Sequence, residues 1–395
     1  MNFKRHFSAI LLSLLCFAAA GQTLEKDITK CLKTHNAVGV ACAVVKDGKI
    51  IWSGEFGSKA IDGTPFTGRH DDIFRIASIS KSFGATSIMQ LVDAGKLSLD
   101  DDAQKYLPFP LRHPDYPDVA ITVRMLLNHT SSITHPQYKT LDIINPATNS
   151  DWVDCYNDWM PGTKYKYSNL GYNLIAAIVE SASGERYDEY VKHHICDPLG
   201  MNASFNPEDL DEDLFVPLYK WSKKKEMFIN MSREAYRGVK KPYSEYVLGY
   251  DAALFSGAGG MKTSATDLAK YMIMHMHYGE YNGVRILSEK SSREMQNYNT
   301  FIGKGGSRYG LGLRSKTDWV DGKSIGGDKF SNREGILPKR VCHCDTKVNN
   351  MMFDQQDNVL CVIDLDTVMP GLSLYDFGDS IRFGAATAAE TIRQT

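Results

Sequence analysis

Ser78 and Lys81 stand three residues apart in Ser78-Ile79-Ser80-Lys81, and this pairing of residue types could activate a hydroxyl. A serine hydroxyl is a poor nucleophile until a neighbouring base takes its proton, and a partly desolvated lysine can serve. Further along, Tyr167-Ser168-Asn169 adds a phenol able to relay protons and an amide able to hold a substrate amide. A second constellation, His343-Cys344-Asp345 with Asn350 and Asp364-Leu365-Asp366, has residue types suited to phosphoryl transfer. A serine acyl-enzyme and an ATP-dependent kinase need different pockets, different cofactors and usually different compartments.

The elements that must position these groups can be read from the surrounding pattern. From Ser78 to Ala94 the pattern predicts a helix, with Phe83, Ile88, Met89, Leu91 and Val92 as its apolar stripe and Gly95 as its C-terminal cap. Residues three apart on a helix share a face, which brings Lys81 Nζ within reach of Ser78 Oγ. Upstream, Val38–Val45 and Lys49–Gly57 read as two strands of a hairpin around Lys46-Asp47-Gly48. A later hairpin is expected from Asn349–Asp354 and Asn358–Leu365 around Gln355-Gln356-Asp357, presenting Asp364 at a strand end.

With 395 residues the chain can bury a sizeable core and hold more than one domain. Forty-five Lys and Arg against 47 Asp and Glu leave a net charge of −2, and no basic run or stripe suits a nucleic acid. Lys4-Arg5, the apolar stretch Phe7–Phe17 and the small residues Ala18-Ala19-Ala20 form the three regions of a secretory signal peptide over residues 1–20. The apolar run is too short to span a bilayer, and Leu15 before Cys16 disfavours a lipoprotein. The expectation is therefore an exported protein, bacterial periplasmic or extracellular, with no membrane span in the mature chain. The remaining cysteines, Cys31, Cys42, Cys155, Cys196, Cys342, Cys344 and Cys361, are odd in number and irregularly spaced, so they define no disulfide framework. Cys342 and Cys344 flank His343 without a second pair at zinc spacing, which argues against a metal site there.

Several further segments agree in order with the Ser-x-x-Lys and Tyr-x-Asn signatures. They are Ile121-Thr122-Val123-Arg124-Met125-Leu126-Leu127-Asn128-His129-Thr130-Ser131, Gly257-Ala258-Gly259-Gly260-Met261 and Tyr309-Gly310-Leu311-Gly312-Leu313. On these residues the chain from about 30 to 327 resembles the serine β-lactamase and penicillin-binding-protein family, in the branch with class C β-lactamases, D-Ala-D-Ala carboxypeptidases and esterases. The resemblance implies an α/β (α+β) fold with an antiparallel sheet flanked by helices and a mostly helical subdomain. It makes Ser78 the acylated nucleophile, Lys81 its general-base partner, Tyr167 the proton shuttle and Asn169 the substrate-positioning amide, and it leaves the choice of base between Lys81 and Tyr167 open. The Ser78 N–H would be one oxyanion donor. Arg124, Asn128 and His129 read as structural support. Such chemistry needs no metal or organic cofactor, and its partner is a small-molecule or peptidoglycan-type substrate.

The family also carries a Lys or His, a small residue and a Gly on the strand beside the serine. Lys323-Ser324-Ile325-Gly326-Gly327 comes nearest, but Ile325 occupies the glycine position and would crowd the substrate's approach. The hydrolase-like domain is thus expected over 21–327, truncated at its C-terminal end, followed by a foreign segment over 328–395. Residues from Ser331 to about Ala389 resemble the C-terminal lobe of aminoglycoside-phosphotransferase-like sugar or small-molecule kinases. That likeness makes Asp345 the base, gives magnesium to Asn350 and Asp364, and has His343 brace the loop. Upstream there is no glycine-rich phosphate loop and no paired Lys and Glu of an ATP lobe, so the segment reads as an inactive fragment. The change of family near Gly327 points to a fusion of two unrelated reading frames. The expected function is acyl-enzyme hydrolysis, with activity impaired by the missing third signature. Phosphotransfer and non-catalytic penicillin recognition are the alternatives.

Overall fold

A computed structural model of the chain describes residues 26, 28–30, 32–33, 37–134, 140–222, 224–239, 241–302, 308–315, 317–320, 323–326, 340–343, 359–361 and 368–371. The fold is mixed α and β with antiparallel strand pairs, as expected. Strands β1 (Gly39–Lys46) and β2 (Lys49–Gly57) form the expected hairpin, with Lys46 opposite Lys49. Its two-residue loop needs positive φ at both positions, and Asp47 at 49° and Gly48 at 71° supply it. Both faces of β1 are covered. Ala41, Ala43 and Val45 belong to the main core, whereas Val40 and Cys42 pack with Ile28 and Leu32 in a smaller cluster. This explains why the strand reads Val-Ala-Cys-Ala-Val-Val without polar alternation.

Strand β3 (Phe74–Arg75) runs into helix α1 (Ser80–Asp93) through a single 3-10 turn at Ala77–Ile79. The sequence predicts one apolar stripe on this helix. Instead, every residue from Ser80 to Met89 is buried, so α1 is a central helix. Its small hydroxyls satisfy themselves locally: Ser82 donates to the Ile79 carbonyl and Ser87 to that of Phe83, while Thr86 pairs with the Tyr271 hydroxyl. Gly95, with φ of 68°, follows the helix end as expected. Helix α2 (Val123–Leu127) is capped by Thr122, whose Oγ1 accepts from the Met125 N–H. Helix α3 (Asn169–Ser183) is capped by Ser168, which accepts from the Gly171 N–H, and stops at Gly184 in the left-handed region. Strand β4 (Lys262–Thr263) pairs with β3, and helix α4 (Ala265–Met276) packs on β1.

Further along, β5 (Arg308–Tyr309) pairs with β6 (Arg314–Ser315), and β7 (Thr317–Val320) with β8 (Lys323–Gly326). The later segment contributes β9 (Arg340–His343), β10 (Val359–Cys361) and β11 (Val368–Gly371). Strand β9 pairs with β11. Strand β10 instead pairs antiparallel with β1, setting Ala43, Val44 and Val45 opposite Cys361, Leu360 and Val359. The sheet order is thus β10-β1-β2, so a strand from the later segment occupies the edge of β1 opposite β2. The hairpin expected over 349–365 lies mostly outside the described residues; its described part, β10, pairs with β1. Residues 1–20, Cys31, Cys344 and Gly327 also lie outside them. No helix among the described residues is long and apolar enough to cross a membrane.

Glu180, fully buried on α3, ties that helix to two loops. Its carboxylate accepts from the Tyr187 N–H at 2.9 Å, the Gly249 N–H at 2.7 Å and the Tyr246 hydroxyl at 2.5 Å. Burial nevertheless outweighs these donors and pushes its carboxyl up to about 7. A raised carboxyl contributes stability that is present below its unfolded value and is lost as pH rises through 7. Glu180→Gln should flatten that decline between about pH 4.5 and pH 7, read as thermal midpoints at each pH. The β1–β10 pairing is tested by Leu360→Pro and Cys361→Pro. Successive strand residues aim their N–H groups to opposite sides, so one of the two prolines removes a donor facing β1 and should lower the midpoint by several degrees. No shift in either variant would exclude the pairing.

Candidate active site

The chain enters the site through strain. Ala77, immediately before Ser78, has φ of 46°, a conformation that residues with a Cβ rarely adopt. Three hydrogen bonds enforce it. The Ile76 N–H donates to the Met261 carbonyl at 3.0 Å, Ser80 Oγ donates to the Ala77 carbonyl, and Ser80 Oγ accepts from the Met261 N–H at 2.9 Å. Ser78 is left partly exposed at the mouth of the turn, while Lys81 is 1% exposed. Lys81 Nζ donates to Ser78 Oγ at 2.9 Å and to the Ala258 carbonyl at 2.7 Å. The expected Ser–Lys contact is therefore formed, with a main-chain carbonyl as the second acceptor.

That carbonyl belongs to Gly257-Ala258-Gly259-Gly260-Met261, whose composition now has a physical reason. The Ala258 N–H donates to Asn173 Oδ1 at 3.3 Å, and the N–H groups of Gly259 and Gly260 both reach the Ser256 carbonyl. A Cβ on Gly260 would lie 2.0 Å from the Phe255 carbonyl oxygen, so only glycine fits.

Tyr167 and Asn169 form the opposite side, both partly buried, with Asn169 opening α3 behind its Ser168 cap. The Tyr167 ring centroid is 4.6 Å from Lys81 Nζ and that of Tyr172 is 5.8 Å away. Behind Tyr167 stands His129, its ring 4.5 Å from Tyr167, 5.1 Å from Tyr172, 4.9 Å from Tyr309 and 5.7 Å from Tyr165. His129 Nδ1 accepts from the Ser168 N–H and its carbonyl from the Lys166 N–H, clamping both ends of the Tyr167 segment. Burial first, and the nearby Lys81 charge second, hold its imidazole well below the usual histidine range, so it stays neutral. His129 is thus structural support, as expected, and so is Arg124, which bridges Asp100 and Glu294. Asn128 accepts from Thr130. Sequence reasoning missed Asn173, Tyr172 and the Ala258 carbonyl. Asn173 had a signal, since it lies four residues after Asn169 on the same helix face.

Together these groups form a serine with a buried lysine at hydrogen-bond distance and a phenol over the lysine, as acyl transfer requires. Comparison with known proteins agrees. Residues 24–335 match the model of the beta-lactamase family. The chain belongs to that family. Among curated relatives, penicillin-binding protein 4* of Bacillus subtilis is 32% identical over 203 residues, 47% of this chain and 43% of the relative. The human mitochondrial serine beta-lactamase-like protein LACTB is 26% identical over 45% of each chain. The alignments thus span less than half the length of these relatives. Among solved structures, the octameric penicillin-binding protein homologue from Pyrococcus abyssi matches with a TM-score of 0.61 at 28% identity, covering 77% of this chain and 67% of the other. A D-stereospecific amidohydrolase from Streptomyces matches with a TM-score of 0.55 at 25% identity, covering 76% and 85%.

Lys323–Gly326 forms β8, which among the described residues pairs only with β7, Lys323 standing opposite Val320. Residues 332–395 match the model of the phosphotransferase enzyme family, so the two matches meet at 332–335, shortly after Gly327. Within that segment His343 ends β9 opposite Val368, while Asp345, Asn350 and Asp364 lie outside the described residues. Among the described residues no cluster of three or more His, Cys, Asp or Glu could hold a metal ion. The glycine turn under Lys81 yields a test. Gly260→Ala must displace either the turn or the Phe255 carbonyl, and should destabilise the protein by about 2 kcal/mol or more in denaturant unfolding.

Proposed function

We propose that this chain is an exported serine hydrolase of the penicillin-recognising type, acting through an acyl-enzyme on β-lactam, D-alanyl peptide or ester substrates. The 2.9 Å contact between Lys81 Nζ and Ser78 Oγ, set beneath the Tyr167 ring, carries this reading. Ser78 Oγ attacks the substrate carbonyl carbon while its proton passes to the unprotonated member of the Lys81–Tyr167 pair, a neutral Lys81 amine or a Tyr167 phenolate beside the Lys81 ammonium. The carbon–nitrogen or carbon–oxygen bond then breaks, the same pair returns a proton to the leaving group, and water hydrolyses the Ser78 ester. The Ser78 N–H would meet the developing oxyanion, and Asn169 the substrate amide. The likeness to a D-stereospecific amidohydrolase favours substrates with a D-configured centre. Export rests on residues 1–20, and places the activity in the periplasm or outside the cell.

Phosphoryl transfer from 328–395 is supported by the family match over 332–395 and by no described geometry. Fluorescent penicillin separates the readings. The chain should be labelled covalently, and Ser78→Ala should abolish the label while leaving the thermal midpoint within a few degrees. Label that forms but never turns over would recast the protein as a penicillin-recognising binder. No label, with magnesium-dependent ATP turnover lost in Asp345→Asn, would replace the hydrolase by a kinase.

A further inference from the structure

Two cations grip consecutive carbonyls of the glycine turn. Lys81 Nζ donates to the oxygen of Ala258 at 2.7 Å, and Arg75 Nε donates to that of Gly259 at 2.8 Å. Arg75 lies on β3, three residues before Ser78, and makes no ion pair with a described residue. Its register partner on β4 is another cation, Lys262, which is buried. Burial and the Arg75 charge lower the Lys262 ammonium to about 7. A guanidinium that spends its charge on a main-chain oxygen beside a second cation is not there for a salt bridge.

The surroundings show what it fixes instead. The Arg75 N–H donates to the Tyr236 hydroxyl at 3.3 Å, Tyr236 donates onward to the Val216 carbonyl at 2.6 Å, and the Tyr236 ring stacks on Phe215 with centroids 4.4 Å apart. The arginine backbone is therefore held from outside the turn. A Cβ built on Gly259 would sit 3.6 Å from Arg75 Nη2, so the guanidinium lies against the glycine itself. Gly259 has no side chain to limit the torsions at its Cα, which join the peptide carrying the Ala258 oxygen to the peptide carrying the Gly259 oxygen. The Gly259 oxygen belongs to the next peptide, between Gly259 and Gly260, so fixing it leaves only the two torsions of Gly259 to turn the Ala258 oxygen that Lys81 meets.

We propose that Arg75 is a positioning residue, which orients the Ala258 carbonyl and through it holds Lys81 against Ser78. This rests on the serine-hydrolase reading for its kinetic consequence but not for its structural one. Arg75→Met removes the donor at similar length, and Arg75→Gln keeps a neutral donor. Both are measured in the full chain by the first-order rate of acylation by fluorescent penicillin, by the penicillin dissociation constant, and by the Nζ proton signal of Lys81 in nitrogen-15 lysine-labelled protein. Arg75→Met should slow acylation by about 10- to 100-fold with the dissociation constant within about twofold, and should lose the exchange-protected Lys81 signal. Arg75→Gln should keep that signal and most of the rate. A wild-type rate and an unchanged Lys81 signal in Arg75→Met would overturn the proposal, as would a rate loss that follows only the dissociation constant. If Arg75→Met does not fold, Arg75→Gln decides: a retained rate and signal support the proposal, and a lost rate with an unchanged signal overturns it. If the wild-type chain takes no penicillin, the hydrolase reading fails while the Lys81 signal still tests the role of Arg75.

Discussion

Lys81 carries an ammonium group into a place where its side chain is almost wholly shielded from water, between Ser78 Oγ and the Ala258 oxygen. Taking such a charge out of water costs several kcal/mol unless the surroundings replace its hydration shell. Here a hydroxyl, a main-chain carbonyl and the faces of Tyr167 and Tyr172 make that replacement. Each must come from a different part of the chain and be held there. The strained turn at Ala77, the glycine run at 257–260 and the Ser168 cap of α3 all follow from this requirement.

The charge also dictates what its neighbours are. His129 stands behind Tyr167 within reach of the same field, and a second positive charge there would repel Lys81. Its burial among four aromatic rings keeps it neutral, and its Nδ1 is engaged as an acceptor. On the opposite side burial first, and the Arg75 charge second, lower the Lys262 ammonium to about 7.

Much of the site was legible in the sequence, for reasons particular to each residue. Ser78 and Lys81 were legible because helical spacing turns three residues into one face. Tyr167 and Asn169 were legible because a short motif had to follow in order, and β1 and β2 because Asp47-Gly48 is a strong turn. The all-round burial of α1 was not, because Ser82, Thr86 and Ser87 look polar on paper and become buried only by bonding to their own helix or to Tyr271. Nor was the role of Ala258, since a main-chain oxygen carries no residue type to recognise. At Lys323–Gly326 the departure of Ile325 from the glycine that the resemblance expects was legible. What β10 does was not, because strand pairing across most of the chain depends on which edge is left vacant and no local pattern records it.

The union of β1 with β10 also has a consequence in time. Ala43 leaves the ribosome about 320 residues before Cys361. At roughly 5 to 20 residues per second, the β1 edge waits on the order of 15 to 60 seconds for its partner. Throughout that interval Val40 to Val45 present an apolar strand with open main-chain groups, the kind of surface on which nascent chains stick to one another. Such long-range closure slows folding, since the entropy of the intervening loop is lost before the contact forms. A chaperone that binds extended apolar segments would find its site on β1 for as long as β10 is still being made.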